Sequence, residues 1–169
     1  MPQPMPVVRE IHWPGVIPQV IAISVIALIV HVCVATLDLP KIVCAAALIY
    51  LIICRSLRAI FVRDHKLGIL EYRAGHFEAA ITHFEASHRF FAAHRWLDRW
   101  RSPLMGVASW NPYRVIALAN MAYCHAQLGD GAKAIELFEA VLREVPDHTV
   151  AKASLNMLRA SRGFESLAK

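Results

Sequence analysis

The chain has 169 residues, enough for one or two small units, and 57% of them are hydrophobic, with a mean hydropathy of +0.42. The apolar excess is concentrated between Val16 and Val62, which argues for a membrane segment rather than a greasy core. The formal charge is +5, and residues 55–101 hold nine Lys/Arg against five acids, so +4 of it follows that apolar stretch directly. A basic block in that place reads as the positive-inside bias, and nucleic acid is not an expected partner.

Cys33, Cys44, Cys54 and Cys124 show no CxxC spacing. They read as free thiols acting as small hydrophobes, which suits a reducing compartment.

Residues 1–15, with three early prolines, read as a flexible arm carrying Trp13 as an interfacial anchor. Val16 to Leu37 follows without a charge, long enough for a hydrocarbon core of about 30 Å. A cleaved signal peptide is not expected, because the first residues are barely positive and no A-x-A-like site follows Val34-Ala35. Asp38 to Lys41 reads as a tight turn. Ile42 to Cys54 is apolar for only 13 residues, but Leu57, Ile60, Phe61 and Val62 extend its apolar face. Residues 16–62 are therefore expected to form a transmembrane helical hairpin; one span followed by an interfacial helix is the alternative. Arg55, Arg58, Arg63 and Lys66 place residue 55 onward in the cytoplasm in either version. With no Pro or Gly between Lys41 and Gly68, the second helix is expected to run on unbroken.

Residues 63–160 are expected to be a helical domain. From Val115 to His148, Leu118, Met121 and Ala122 fall at helical spacing, Leu128-Gly129-Asp130-Gly131 forms a turn, Ala134, Ile135, Phe138, Val141 and Leu142 resume the spacing, and Pro146 stops it. This segment resembles a tetratricopeptide repeat (TPR), a helix pair of about 34 residues. His125 stands where the family often has Tyr, and Gly131 where it usually has Tyr or Phe. Leu67-Gly68, Gly75, Phe77, Ala80-Ile81 and Phe84 match a weaker first repeat over residues 61–94. The resemblance implies an all-α solenoid of two repeats. Val150, Ala153, Leu155 and Leu158 mark a capping helix to about Arg159, and residues 161–169 are expected to fray.

Gly75 and Gly129 are 54 residues apart, so about 20 extra residues separate the repeats, within 89–114. Helix is expected to continue through Phe90, Ala93, Leu97 and Trp100 until Ser102-Pro103 ends it, and Asn111-Pro112 to start the next helix. This insertion interleaves Phe90, Phe91, Trp96, Trp100 and Trp110 with arginines. Two readings stay open: it lies on the cytoplasmic leaflet or a membrane partner, or its aromatics pack internally. Arg55, Arg58, Trp96, Arg99, Trp100 and Trp110 are the candidate membrane-interface residues.

The nine histidines show no His-x3-His or His-Glu-x-x-His spacing, and they read as surface or packing residues. His31, inside the first apolar segment, reads as a neutral imidazole bonded to the other helix of the pair, with a partner helix, pigment or haem as the alternative. No phosphate-cradling loop, nucleophile signature or carboxylate pair is present, so no enzyme, cofactor, metal or small-molecule substrate is expected. Carried over from the family, a partner-binding groove would be lined by His65, Ile69, Tyr72, Arg73, Ala119, Asn120, Tyr123 and Gln127. Ile69 and Ala119 occupy the positions where some TPRs clamp a carboxylate, so that activity is not implied.

These readings point to a membrane-anchored TPR adaptor that recruits or assembles proteins at the cytoplasmic face. The alternative is an accessory subunit of a larger integral membrane complex, with Ala45-Ala46-Ala47 allowing close helix approach. The topology resembles that of bacterial envelope-assembly proteins with two membrane helices and a TPR domain, which implies a bacterial inner membrane. Membrane proteins and lipid are the expected partners.

Overall fold

The computed structural model describes residues 16–33, 39–107 and 109–167, and the regular elements among them are helices. They are α1 (Val16–Cys33), α2 (Leu39–Phe61), α3 (Arg63–Ala74), α4 (Phe77–Ala93), α5 (Arg95–Arg99), α6 (Arg101–Met105), α7 (Tyr113–Gln127), α8 (Gly131–Glu144) and α9 (Thr149–Leu167). The expected N-terminal arm with Trp13, and Asp38 of the turn, lie outside the described residues. Two compact units result: 16–63 with 95–110, and 64–94 with 111–167.

In the first unit α1 packs on α2. Ile42, Ala46, Tyr50 and Cys54, four residues apart along α2, are its buried row. On α1 the less exposed stripe runs Gln19, Ala22, Ile23, Ile26, Ala27 and Val30. The opposite faces stay apolar and exposed, as at Val20, Leu28, Leu48 and Ile52. Lys41–Phe61, 21 residues, is long and apolar enough to cross a membrane, whereas the apolar run of α1, Val16–Val32, is shorter. The second apolar segment is thus longer than the 13 residues from Ile42 to Cys54, while residues 34–37 of the expected first segment lie outside the described residues. Leu57 and Ile60 carry the helix past Arg55, so the two arginines sit inside α2 rather than ending it.

Helix α6 packs against both α1 and α2. Gln19 Nε2 donates to Ser102 Oγ at 3.3 Å, and the Cys54 thiol donates to the Pro103 carbonyl at 3.7 Å. Adjacent residues of α6 thus reach the start of α1 and the end of α2, so α1 and α2 run antiparallel.

The second unit is built on two helix pairs, α3 with α4 and α7 with α8, followed by α9. A shift of 54 residues relates the pairs position by position. Gly68 and Ala122, Ala80 and Ala134, Phe84 and Phe138, and Ser87 and Val141 are all buried. The turns repeat as well. Gly75 (φ 84°) and Gly129 (φ 79°) take the left-handed conformation that a side chain resists. Each helix is closed by the same two bonds: Gly75 N–H to Tyr72 O and His76 N–H to Glu71 O, then Gly129 N–H to Ala126 O and Asp130 N–H to His125 O. Asp130 also caps α8, its Oδ1 accepting from the Lys133 N–H at 3.0 Å. Packing runs α4 on α7, α7 on α8 and α8 on α9, around a core that includes Tyr72, Phe84, Val115, Met121, Phe138 and Leu155.

Several boundaries differ from the sequence expectation. The helix breaks at Val62 instead of running from α2 into α3, with neither Pro nor Gly to mark it. Helix α4 ends at Ala93 because the backbone of His94 leaves the helical region (φ −114°, ψ 54°); its N–H still makes the last helical bond to Phe90 O at 3.0 Å, and its ring Nδ1 lies 2.9 Å from the same oxygen. Residues 95–105 are therefore two short helices of the other unit. Pro103 does not end a helix but sits in the first turn of α6, where its missing N–H has no intrahelical partner to lose. In α9 it is Ala151 that is buried and Ala153 that is exposed, and the helix continues to Leu167 through the tail expected to fray.

Candidate interaction surfaces

Of the residues expected to line a groove, His65, Tyr72, Ala119 and Asn120 are buried. They belong to the core, not to a surface. His65, Gly68 and Tyr72 fall at i, i+3 and i+7 on α3, so the stripe that buries them was readable; family carry-over placed them on the wrong side of it. Ile69 and Tyr123 are half-buried, while Arg73 and Gln127 are exposed. These four form two pairs equivalent under the same 54-residue shift. Tyr123 is held from both sides, its hydroxyl 3.0 Å from Ser154 Oγ of α9 and its ring edge-on to Phe138. Leu70, on the same helix as Ile69, is 59% exposed.

His65 Nδ1 lies 3.4 Å from Ser87 Oγ, and its ring meets Phe84 and Tyr113 edge-on at 5.5 and 5.3 Å. Burial pushes its imidazole down from 6.5 to about 4, so it is neutral near pH 7. Serine beside histidine is the chemistry of a nucleophile and its base, but both side chains are sealed among aromatic rings, with no surface for a substrate. Burial likewise pushes the Cys124 thiol up to about 12, away from the reactive thiolate. The other described histidines of this unit hold local structure. His76 pairs with Glu71, His83 with Asp64 and His125 with Asp130, at 2.8, 3.6 and 3.4 Å. His148 Nδ1 accepts the Ala151 N–H, capping α9. His31 is exposed on α1 rather than turned into the helix pair. Among the described residues no group of three or more His, Cys, Asp or Glu is placed to hold a metal ion.

The aromatics of the insertion divide between the units. Phe91 is buried and stacked on Tyr113, with Phe90 packed edge-on beside it, so both serve the helix-pair unit. Trp96, Trp100 and Trp110 belong to the apolar unit and are 61%, 56% and 57% exposed. Arg55, Arg58, Arg95 and Arg99 are exposed too. Arg101 is not: its guanidinium donates to the carbonyls of Asp98, Ser109 and Trp110 at 2.7, 2.7 and 3.1 Å, tying the two ends of the segment together.

Comparison with protein-family models, curated proteins and solved structures gives no match for the chain.

Proposed function

We propose that the chain is a membrane-anchored adaptor. In this reading α1 and α2 form a hairpin across a bacterial inner membrane, and residues 64–169 are a cytoplasmic TPR-like unit that recruits other proteins. The observation that carries it is the 54-residue correspondence between α3/α4 and α7/α8. The same glycine turn, the same closing bonds and the same buried small and aromatic positions occur twice, the economy of a repeat that stacks to present a surface. The anchoring part rests on exposed apolar faces, which water disfavours by about 25 cal/mol per Å² and lipid does not.

The recruiting surface is assigned to Ile69, Arg73, Tyr123 and Gln127. A photocrosslinking residue at position 73 or 127 of the full chain should capture the same partner in cells, and one at Glu136 on α8 should not. Equal capture from all three positions would remove this surface from the proposal. A second reading, an accessory subunit of a larger membrane complex, draws on exposed Leu48 and Ile52 of α2. Ala46 lends it little support, being used inside the unit. Co-migration with a stoichiometric membrane complex in mild detergent favours the subunit; a lone species favours the adaptor.

A further inference from the structure

We propose that residues 95–110 are an interfacial anchor that binds anionic phospholipid headgroups. The proposal rests on the membrane-anchored reading and adds to it a lipid class and a binding segment.

Position is the first argument. Ser102 and Pro103 of α6 are bonded to Gln19 at the start of α1 and Cys54 near the end of α2. Arg55 follows Cys54 directly, and Arg58 lies one turn further. The segment therefore sits where the paired apolar helices give way to charge, the level of a headgroup layer if those helices are in lipid.

The second argument is how its side chains divide. Leu97, Asp98 and Met105 are buried, which seats the segment. Trp96, Trp100 and Trp110 are each more than half exposed. Trp96 and Trp100 are four residues apart, and the break at the end of α5 does not bury either of them. Three exposed indoles within fifteen residues are costly in water. At a bilayer boundary the ring enters the acyl region while the indole N–H stays with polar headgroups.

Charge selects the lipid. Among the described residues of this unit the one acid is Asp98, and it is fully buried. The unit's exposed arginines, Arg55, Arg58, Arg63, Arg95 and Arg99, therefore meet no exposed acid among its described residues. A cation near an anionic leaflet is attracted to it, and arginine pairs with phosphate through two parallel N–H donors. An acidic protein patch is the other class of partner with matching charge, but it has to be brought to this place, whereas anchoring alone holds lipid there.

The test uses the full chain with Trp13→Phe, so that emission comes from Trp96, Trp100 and Trp110. It is reconstituted in vesicles of phosphatidylcholine and phosphatidylglycerol, with one or the other brominated to quench nearby indoles. Brominated phosphatidylglycerol should quench beyond its mole fraction. Arg95→Gln with Arg99→Gln should lower that preference several-fold, and Arg143→Gln with Lys152→Gln, outside this unit, should leave it unchanged. Quenching in simple proportion to mole fraction overturns the lipid selectivity. Tryptophans left unquenched in vesicles from which alkaline carbonate does not release the chain overturn the proposal while the anchoring reading stands; shielding of the same tryptophans only in native membranes then assigns them to a protein partner. Release by carbonate sinks the anchoring reading itself.

Discussion

Gly68 lies so close to Phe84 that a Cβ at position 68 would come within 2.8 Å of two carbons of its ring. Phe84 is fully buried, so the ring has no room to withdraw. Gly68→Ala should therefore destabilise the chain by about 1–3 kcal/mol through overpacking, against a helix-propensity gain of at most about 1 kcal/mol. Gly131→Ala is the control. Gly131 is helical with open space around its Cβ direction, and the substitution should be neutral or stabilise by up to about 1 kcal/mol. Thermal melting of both variants of the full chain in detergent, followed by circular dichroism, reads the two signs. A Gly68→Ala variant as stable as wild type would mean the α3–α4 crossing is looser than this geometry.

The buried imidazole of His65 makes stability depend on pH. Its folded value of about 4 lies below the ordinary 6.5. The folded state thus binds the proton less readily than the unfolded one. The full contribution is present above about pH 6.5 and is lost as pH falls toward 4, by about 3 kcal/mol at the limit. Wild type and His65→Gln should differ in the slope of unfolding midpoint against pH across that window, with the variant flatter though less stable throughout. Parallel curves would show that the ring is hydrated.

Much of the helix-pair unit was legible because its signals are local. Gly75 and Gly129 fix turns, Ala134 and Phe138 fix a crossing, and Pro112 fixes a start. What escaped was tertiary. Nothing near Val62 announces a break, and at His94 the backbone leaves the helical region with neither Pro nor Gly to mark it. Half of the expected groove is core for a different reason: His65, Tyr72, Ala119 and Asn120 lie on the packed side of their helices, which a family pattern carried over residue by residue does not locate. The insertion was visible as a count of residues between two glycines. That Phe91 and Trp96, five residues apart, belong to different units follows only from the helix break between them.

The repeated turn gives a matched pair of variants. Gly75→Ala and Gly129→Ala each force a Cβ into left-handed backbone without creating a clash, since neither has an atom within 4 Å of the added carbon. Each should cost about 1–2 kcal/mol, and the two costs should agree because the closing bonds are the same. Denaturant midpoints of the two single variants measure this. A cost at one site and none at the other would break the structural equivalence on which the repeat reading stands.

Arg101 tests whether the interfacial segment is held by the chain or by its surroundings. Its guanidinium joins Asp98, before α6, to Ser109 and Trp110, after it. Hydrogen bonds to a charged group contribute about 1.5–3 kcal/mol, so Arg101→Ala should release the closed segment. Lysine cannot rescue it, because one ammonium does not reproduce the planar fork that reaches three carbonyls. Chymotrypsin applied to the full chain in detergent should then cut Arg101→Ala and Arg101→Lys near Trp100, Leu104 and Trp110 much faster than wild type. Arg95→Gln with Arg99→Gln should be cut at the wild-type rate, since both side chains are exposed. If Arg101→Lys is as resistant as wild type, a single charge suffices and the three-carbonyl clasp does not hold the segment. If the double variant is cut as fast as Arg101→Ala, those two arginines also maintain the segment, and their effect on lipid preference has to be reassigned to its unfolding.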